Sequence, residues 1–143
     1  MKGALRLPLL SGIAALAAPV LALAQAAPSF TVAPAEGPVT YEAARVTITA
    51  PLGAAVRSPA AGRVLRVATR PIAFVEIDHG GGYVARYAHL ADLAVKAGDS
   101  VLAGQRIASV GHGGEISGPH IHVQLQKDGR PADPRLFAPS RRR

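Results

Sequence analysis

The chain has no cysteine. No disulfide can staple it, so a packed core alone must hold the fold together. Past the first stretch of the chain, helical periodicity is missing too. No later segment of helix length repeats its apolar residues every 3.6 positions, which argues against a helical architecture. Acidic residues are scarce, 9 against 16 lysines and arginines, for a formal net charge of +7. Charge is absent altogether from Leu7 to Ala27. That run follows Lys2 and Arg6 and ends in small residues spaced A-x-A at Ala22–Ala24 and Ala24–Ala26. Basic, then apolar, then small is the order of a secretory signal peptide, expected over residues 1–26. The run is also just long enough to span a bilayer as an uncleaved anchor. Pro19 and the alanines favour removal, leaving an exported chain with no membrane segment.

The remaining residues amount to one domain. Without Lys2 and Arg6, 14 basic residues still oppose 9 acidic ones. A basic exported protein suits an acidic wall polymer or anionic lipid, and export argues against nucleic acid as a partner. The closing Arg141-Arg142-Arg143 reads as a solvated tail, residues 138–143. Residues 27–44 are rich in proline and alanine with little periodicity, and read as an irregular arm.

From Arg45 the pattern is β. VTIT, GRVLRVATR, AFVEIDHG, YVARYAHL, DSVLAGQRIASV and HIHVQLQ follow one another, separated by glycine, proline, aspartate or lysine. Short strands at such spacing predict an all-β sandwich or barrel. DHGGGY (Asp78 to Tyr83) reads as a hairpin turn because a strand follows it, where a phosphate-cradling loop needs a helix. His79 then reads as a turn residue bonded to local backbone. Asp128-Gly129 marks a second tight turn. The phrase VKAGDSVLAGQRIASVG is similar to lipoyl and biotinyl carrier domains, but Lys96 and Lys127 lack the hairpin-tip setting that a carrier lysine needs.

The segment GPHIHVQL carries the chemistry. In a strand, side chains repeat with period two, so His120 and His122 share a face with their backbones under about 7 Å apart. Such a pair suits a metal or a hydrolytic site if other residues complete it. His112 reads as a polar loop residue at the edge of that site.

SPAAGRV, EIDHGGGYVARYAHL, VKAGDSVLAGQRIASVG, SGPHIHVQL and DGRPADP occur here in one order. In that order they resemble the lysostaphin-like, LytM-type zinc endopeptidases of bacterial cell walls, from about Arg45 to Phe137. The resemblance implies an antiparallel sheet of the duplicated-hybrid type with a groove, peptidoglycan as the partner, and an envelope location. It implies His122 as a zinc ligand, with His120 and His89 as catalytic histidines. The other two ligands of active members, a histidine and an aspartate four residues apart, fall on Ala43 and Thr47. Neither can replace them: alanine has no donor atom and a neutral threonine is a poor zinc ligand. A glutamate after the histidine strand is replaced by Gln124. Catalytic zinc normally takes three protein ligands and a water. The resemblance therefore implies a non-catalytic relative with no zinc, one that binds wall or activates separate cell-wall hydrolases such as amidases. Two alternatives stand beside it. One is a working zinc endopeptidase with a rebuilt set: His122, His120 or His112, and Glu42. The other is a structural wall-binding protein.

Overall fold

In the computed structural model of the chain, residues 28–112 and 118–137 are described. The expected leader (1–26) and basic tail (138–143) lie outside them. The strands are β1 (Val39–Glu42), β2 (Arg45–Thr49), β3 (Ala55–Arg57), β4 (Gly62–Ala68), β5 (Phe74–Gly80) and β6 (Tyr83–Ala88). They continue with β7 (Leu90–Ala91), β8 (Ser100–Val101), β9 (Arg106–Val110), β10 (His120–Lys127) and β11 (Arg130–Pro131), and a 3₁₀ turn at Pro134–Phe137 follows. The large sheet runs β1-β2-β10-β6-β5-β4-β8, with β11 on β10, and a small sheet runs β3-β9-β7. Every pairing is antiparallel, as the resemblance implies.

Alternation decides which face of the large sheet is buried. On β10, Ile121, Val123 and Leu125 are at most 1% exposed, while Gln124 and Gln126 face solvent. On β5 the buried set is Val75, Ile77 and His79; on β6 it is Ala85 and Tyr87. All of these but His79 join Val56, Ile107, Ala108 and Val110 of the small sheet in one hydrophobic cluster. Full burial of each such aliphatic side chain contributes about 1.5–3 kcal/mol. The opposite face of the large sheet stays open, and β10 lies in its middle, between β2 and β6.

The two turns form as expected. Gly81 and Gly82 link β5 to β6 with φ of 61° and 83°. Asp128 and Gly129 link β10 to β11 with φ of 51° and 78°, the left-handed pair that a type I′ hairpin requires.

Two expectations need correction. The segment 27–44 is not an irregular arm up to residue 44. Val39–Glu42 is a strand registered on β2, with Thr40 opposite Thr47 and Glu42 opposite Arg45. Upstream of it, the Thr31 N–H donates to the Pro59 carbonyl and Phe30 packs on the rings of His79 and Phe137. Four alternating residues just after Pro34, Gly37 and Pro38 are too few to show above the proline signal. The second correction is His79. It is a strand residue, 6% exposed, not a turn residue. Its Nδ1 lies 3.0 Å from the Ala61 carbonyl and its Nε2 2.8 Å from the Tyr87 hydroxyl. A carbonyl only accepts, so Nδ1 carries the hydrogen and Nε2 accepts from Tyr87.

Candidate functional site

The open face of the large sheet carries a row of cross-strand partners: Thr40 opposite Thr47, Thr47 opposite His122, His122 opposite Ala88, and Ala88 opposite Phe74. His120 and His122 enter the site from β10 on one face, as their spacing predicts. His89 arrives differently. Strand parity on β6 would turn residue 89 toward the core, one step after Ala88. Instead β6 ends there and His89 adopts φ 65°, a left-handed conformation that costs a non-glycine residue about 1–2 kcal/mol. The chain thereby swings its imidazole to the histidine face. Ring centroids are 4.6 Å apart for His89–His122, 4.6 Å for His120–His122 and 5.3 Å for His89–His120.

Main-chain contacts hold that conformation. The Gly111 N–H donates to the His89 carbonyl at 3.0 Å, and the Leu90 N–H to the Ala73 carbonyl at 3.2 Å. A Cβ on Gly111 would fall 2.7 Å from the Leu90 carbonyl oxygen and 2.9 Å from that of His89. Both obstacles are backbone, so Gly111→Ala must push the His89 main chain. The expected outcome is a loss of about 1–3 kcal/mol in urea unfolding, with His89 ring resonances displaced in the NMR spectrum and those of His79 unmoved. Unshifted His89 resonances would show that the glycine does not position the ring.

The electrostatics favour neutral rings. Partial burial, then Arg45, then the neighbouring histidines push His122 down to about 4, with Glu42 opposing weakly. His89 is lowered from its ordinary value by burial first, then by His120, and Arg45 adds to this. Burial likewise lowers His79. His120 is buried, and its Nδ1 lies 2.9 Å from the Gly118 carbonyl. That contact places a hydrogen on Nδ1. All three lowered histidines take up protons more readily unfolded, where the ordinary value is about 6.5. Their contribution to stability is thus fully present above that value and lost as pH falls through their lowered folded values, about 4 for His122. With chelator present, the urea midpoint is expected to be lower at pH 5 than at pH 7.5. An unchanged midpoint would contradict these shifts.

The other expected residues are placed as follows. Ala43 is exposed in the two-residue turn between β1 and β2, and it does not line the depression at the histidines. Thr47 stands beside His122. Glu42 is held by Arg45, whose Nε and Nη2 donate to its Oε2 at 3.1 and 2.5 Å. His112 is exposed and borders a larger hollow beyond His89. Among the described residues, the one group of histidines, cysteines or acids close enough to share a metal is His89, His120 and His122. Their ligand atoms all lie within 4.8 Å of one another. Glu42 and His112 are not in it.

The profile of peptidase family M23 matches residues 42–134. This chain belongs to peptidase family M23. Over 85 residues it is 40% identical to the peptidoglycan DD-endopeptidase ShyA of Vibrio cholerae, a match covering 58% of this chain and 20% of ShyA. This M23 chain thus spans about a fifth of the length of that relative. Its fold matches the crystal structure of a putative peptidase M23 from Pseudomonas aeruginosa with a TM-score of 0.71 at 26% identity, over 91% of this chain and 62% of that one. A zinc-containing peptidase from Vibrio cholerae matches with a TM-score of 0.66 at 27% identity, over 76% of this chain and 39% of the other. The lysostaphin-like fold expected from the sequence is therefore the one observed.

Sequence reasoning passed over Arg45, Phe74 and Arg86, which line the depression together with His89, His122 and Gln124. The signal for two of them was present. Arg86 lies an even number of residues before Ala88 on β6, and Arg45 the same before Thr47 on β2, so both share the histidine face.

Proposed function

We propose that this M23 domain is exported to the cell envelope and binds peptidoglycan peptides there without cleaving them by the family's usual route. The observation that carries this reading is what stands where the resemblance calls for ligands: Thr47 opposite His122 in the sheet, and Ala43 in an exposed turn. The proposed organisation is a leader over 1–26, a basic tail over 138–143, and a folded domain that starts ahead of residue 45, since β1 belongs to its sheet. In the cleft, the neutral imidazoles of His89 and His122 offer hydrogen bonds to peptide carbonyls and N–H groups. The regulatory form of this reading adds a separate amidase as partner, stimulated when the domain engages wall.

A second reading rests on the histidine cluster. Three imidazoles form a donor set known for zinc. The observed spread of up to 4.8 Å exceeds the about 3.4 Å nitrogen–nitrogen separation of a tetrahedral site, so the rings would rotate inward. His89, His120 and His122 would hold the ion, which when bound supplies a Lewis acid that polarises carbonyls and makes bound water acidic. The fixed Nδ1–H of His120 supports this, since a ligating histidine usually donates its other nitrogen to a carbonyl or carboxylate.

One experiment separates the readings. The purified chain is incubated with sacculi, with and without zinc, and pelleted; the supernatant is analysed for released peptides and the protein for metal. The binding reading expects co-sedimentation and no released peptide. Release of cross-link peptides with about one zinc per chain, both lost in His122→Ala, overturns it in favour of the second. Stimulation of an added amidase distinguishes a regulator from a structural wall binder, which would sediment without stimulating.

A further inference from the structure

The depression at the histidines, about 140 Å³, continues into two others. On one side His89 and Ile72 also border a hollow of about 1000 Å³, walled largely by apolar groups such as Leu52, Leu90 and Val110. On the other side Arg86 and Gln124 also border a polar hollow of about 300 Å³, which reaches Arg66, Glu76 and Gln126. The result is one cleft with the imidazoles midway, apolar at one end and cationic at the other.

The cationic end is built by sheet register. Glu42 faces Arg45 across the β1–β2 hairpin; Gln124 faces Arg86, Arg86 faces Glu76, and Glu76 faces Arg66. Arg86 is fixed from two directions. Its Nε and Nη2 donate to Oε2 of Glu76 at 3.1 and 2.7 Å, and its guanidinium carbon sits 4.3 Å from the centre of the Phe74 ring. These contacts use one edge of the guanidinium and leave Nη1. Glu76 also accepts from Arg66 at 2.6 Å, so one carboxylate serves two arginines and positive charge is left over. Among the described residues Arg45 is held only by Glu42, in a pair whose side chains are 37% and 49% exposed. Exposed pairs of this kind are worth little, so another carboxylate can replace Glu42 at small cost. Both Arg45 and Arg86 line the depression that His89 and His122 line, and among the described residues no carboxylate does.

We propose that Arg45 and Arg86 form a carboxylate subsite immediately beside the histidines, so that the cleft takes a peptide with a free carboxylate near the amide held at the imidazoles. Guanidinium groups pair with carboxylates in a fixed planar geometry, and the pairing strengthens in a partly enclosed site. Glu42 occupies the Arg45 side of the subsite when no ligand does. The carboxylate belongs to the peptide's terminus or to an acidic side chain. The inference rests on the cleft being the peptide-binding site of the proposed function.

The test uses the full chain and the tetrapeptide alanyl–D-glutamyl–lysyl–D-alanine, labelled at its amino end and followed by fluorescence polarisation. Two further probes carry a C-terminal amide or D-glutamine in place of D-glutamate. The free peptide is expected to bind at least tenfold more tightly than one of the amides, and which amide loses affinity identifies the carboxylate read. Arg45→Gln and Arg86→Gln should each remove most of that preference. Glu42→Gln, which frees Arg45, should tighten binding of the free peptide several-fold. Melting curves confirm that each variant is folded, and Arg45→Gln, at a surface position, keeps the test open if Arg86→Gln unfolds. Equal affinity for the free peptide and both amides, or a preference that survives in folded Arg45→Gln, overturns the subsite. Failure of all three probes while the chain still sediments with sacculi overturns the subsite and leaves the wall-binding reading standing. Failure of both removes the two together.

Discussion

Thr47→Asp is expected to raise the zinc affinity of the chain by about a hundredfold. Structural four-ligand zinc sites are worth about 10–16 kcal/mol in total, or about 3 kcal/mol per ligand, and that is about two decades in affinity. The position is right for the gain. Thr47 and His122 are direct partners in the β2–β10 ladder and share the open face. Directly opposed residues in a sheet have Cβ atoms about 4.5–5.5 Å apart, within reach of a common ion. The His89 ring is 4.6 Å from that of His122, so a third donor is already beside them. A new carboxylate would also raise His122 from about 4, but the ring would remain mostly neutral at pH 7 and free to ligate. Ala43→His should add less. Residue 43 lies in the turn beyond Arg45, away from the depression, so its ring can arrive only if the hairpin rearranges. The measurement is zinc retained after desalting, with the affinity read by competition against a chelating dye. Thr47→Asn controls for size, and Thr47→Asp combined with His122→Ala controls for the site. A folded Thr47→Asp variant that binds zinc no more tightly than the parent would mean that residue 47 is not a ligand position, and the reading built on its loss would fail.

Why some of this was legible in the sequence and some was not follows from the range of each signal. Period-two alternation is local, so the strand character of 120–127 and the common face of His120 and His122 could be read directly. Turn chemistry is local as well, and DHGGGY and Asp128-Gly129 both delivered their hairpins. The position of His89 was not local. It needs a left-handed residue that breaks the parity of β6, and the contacts that stabilise it come from Gly111 and Ala73. The lone four-residue strand β1 exists because β2 offers it an edge, and nothing within VTYE announces that. The arginines were legible only in part, through the parity of their own strands. Arg45 and Arg86 stand 41 positions apart in the chain, and only the order β2-β10-β6 sets them around Gln124. His79 was misread for a related reason: a histidine before three glycines looks like part of a turn until its partner Tyr87 comes alongside from the next strand.

That partner makes Tyr87 the position where a single substitution should cost most. Its side chain is the largest of the fully buried ones, at 0% exposure, and it packs edge-on against His79 and Phe137. Tyr87→Ala removes the ring from a closed core, a change worth about 3–5 kcal/mol for buried aromatics. Domains are typically stable by about 5–15 kcal/mol, so the variant should lose much of its stability. Tyr87→Phe dissects the effect. It keeps the ring and deletes the hydroxyl that donates to Nε2 of His79 at 2.8 Å, leaving a buried acceptor unpaired at a cost of about 1–3 kcal/mol. Protonation gives the test its sharper edge. In the parent, a charged His79 would present an N–H to the Tyr87 hydroxyl, whose own hydrogen would then need another acceptor in the core. Without the hydroxyl, the Nε2–H of a charged His79 would lose that acceptor, and burial still opposes the charge. Tyr87→Phe should therefore lose at least as much stability between pH 7.5 and pH 5 as the parent does, as well as starting lower. Urea midpoints at the two pH values measure both effects. A Tyr87→Phe variant as stable as the parent at pH 7.5 would show that the His79–Tyr87 hydrogen bond contributes nothing, and the burial of His79 would need another cause.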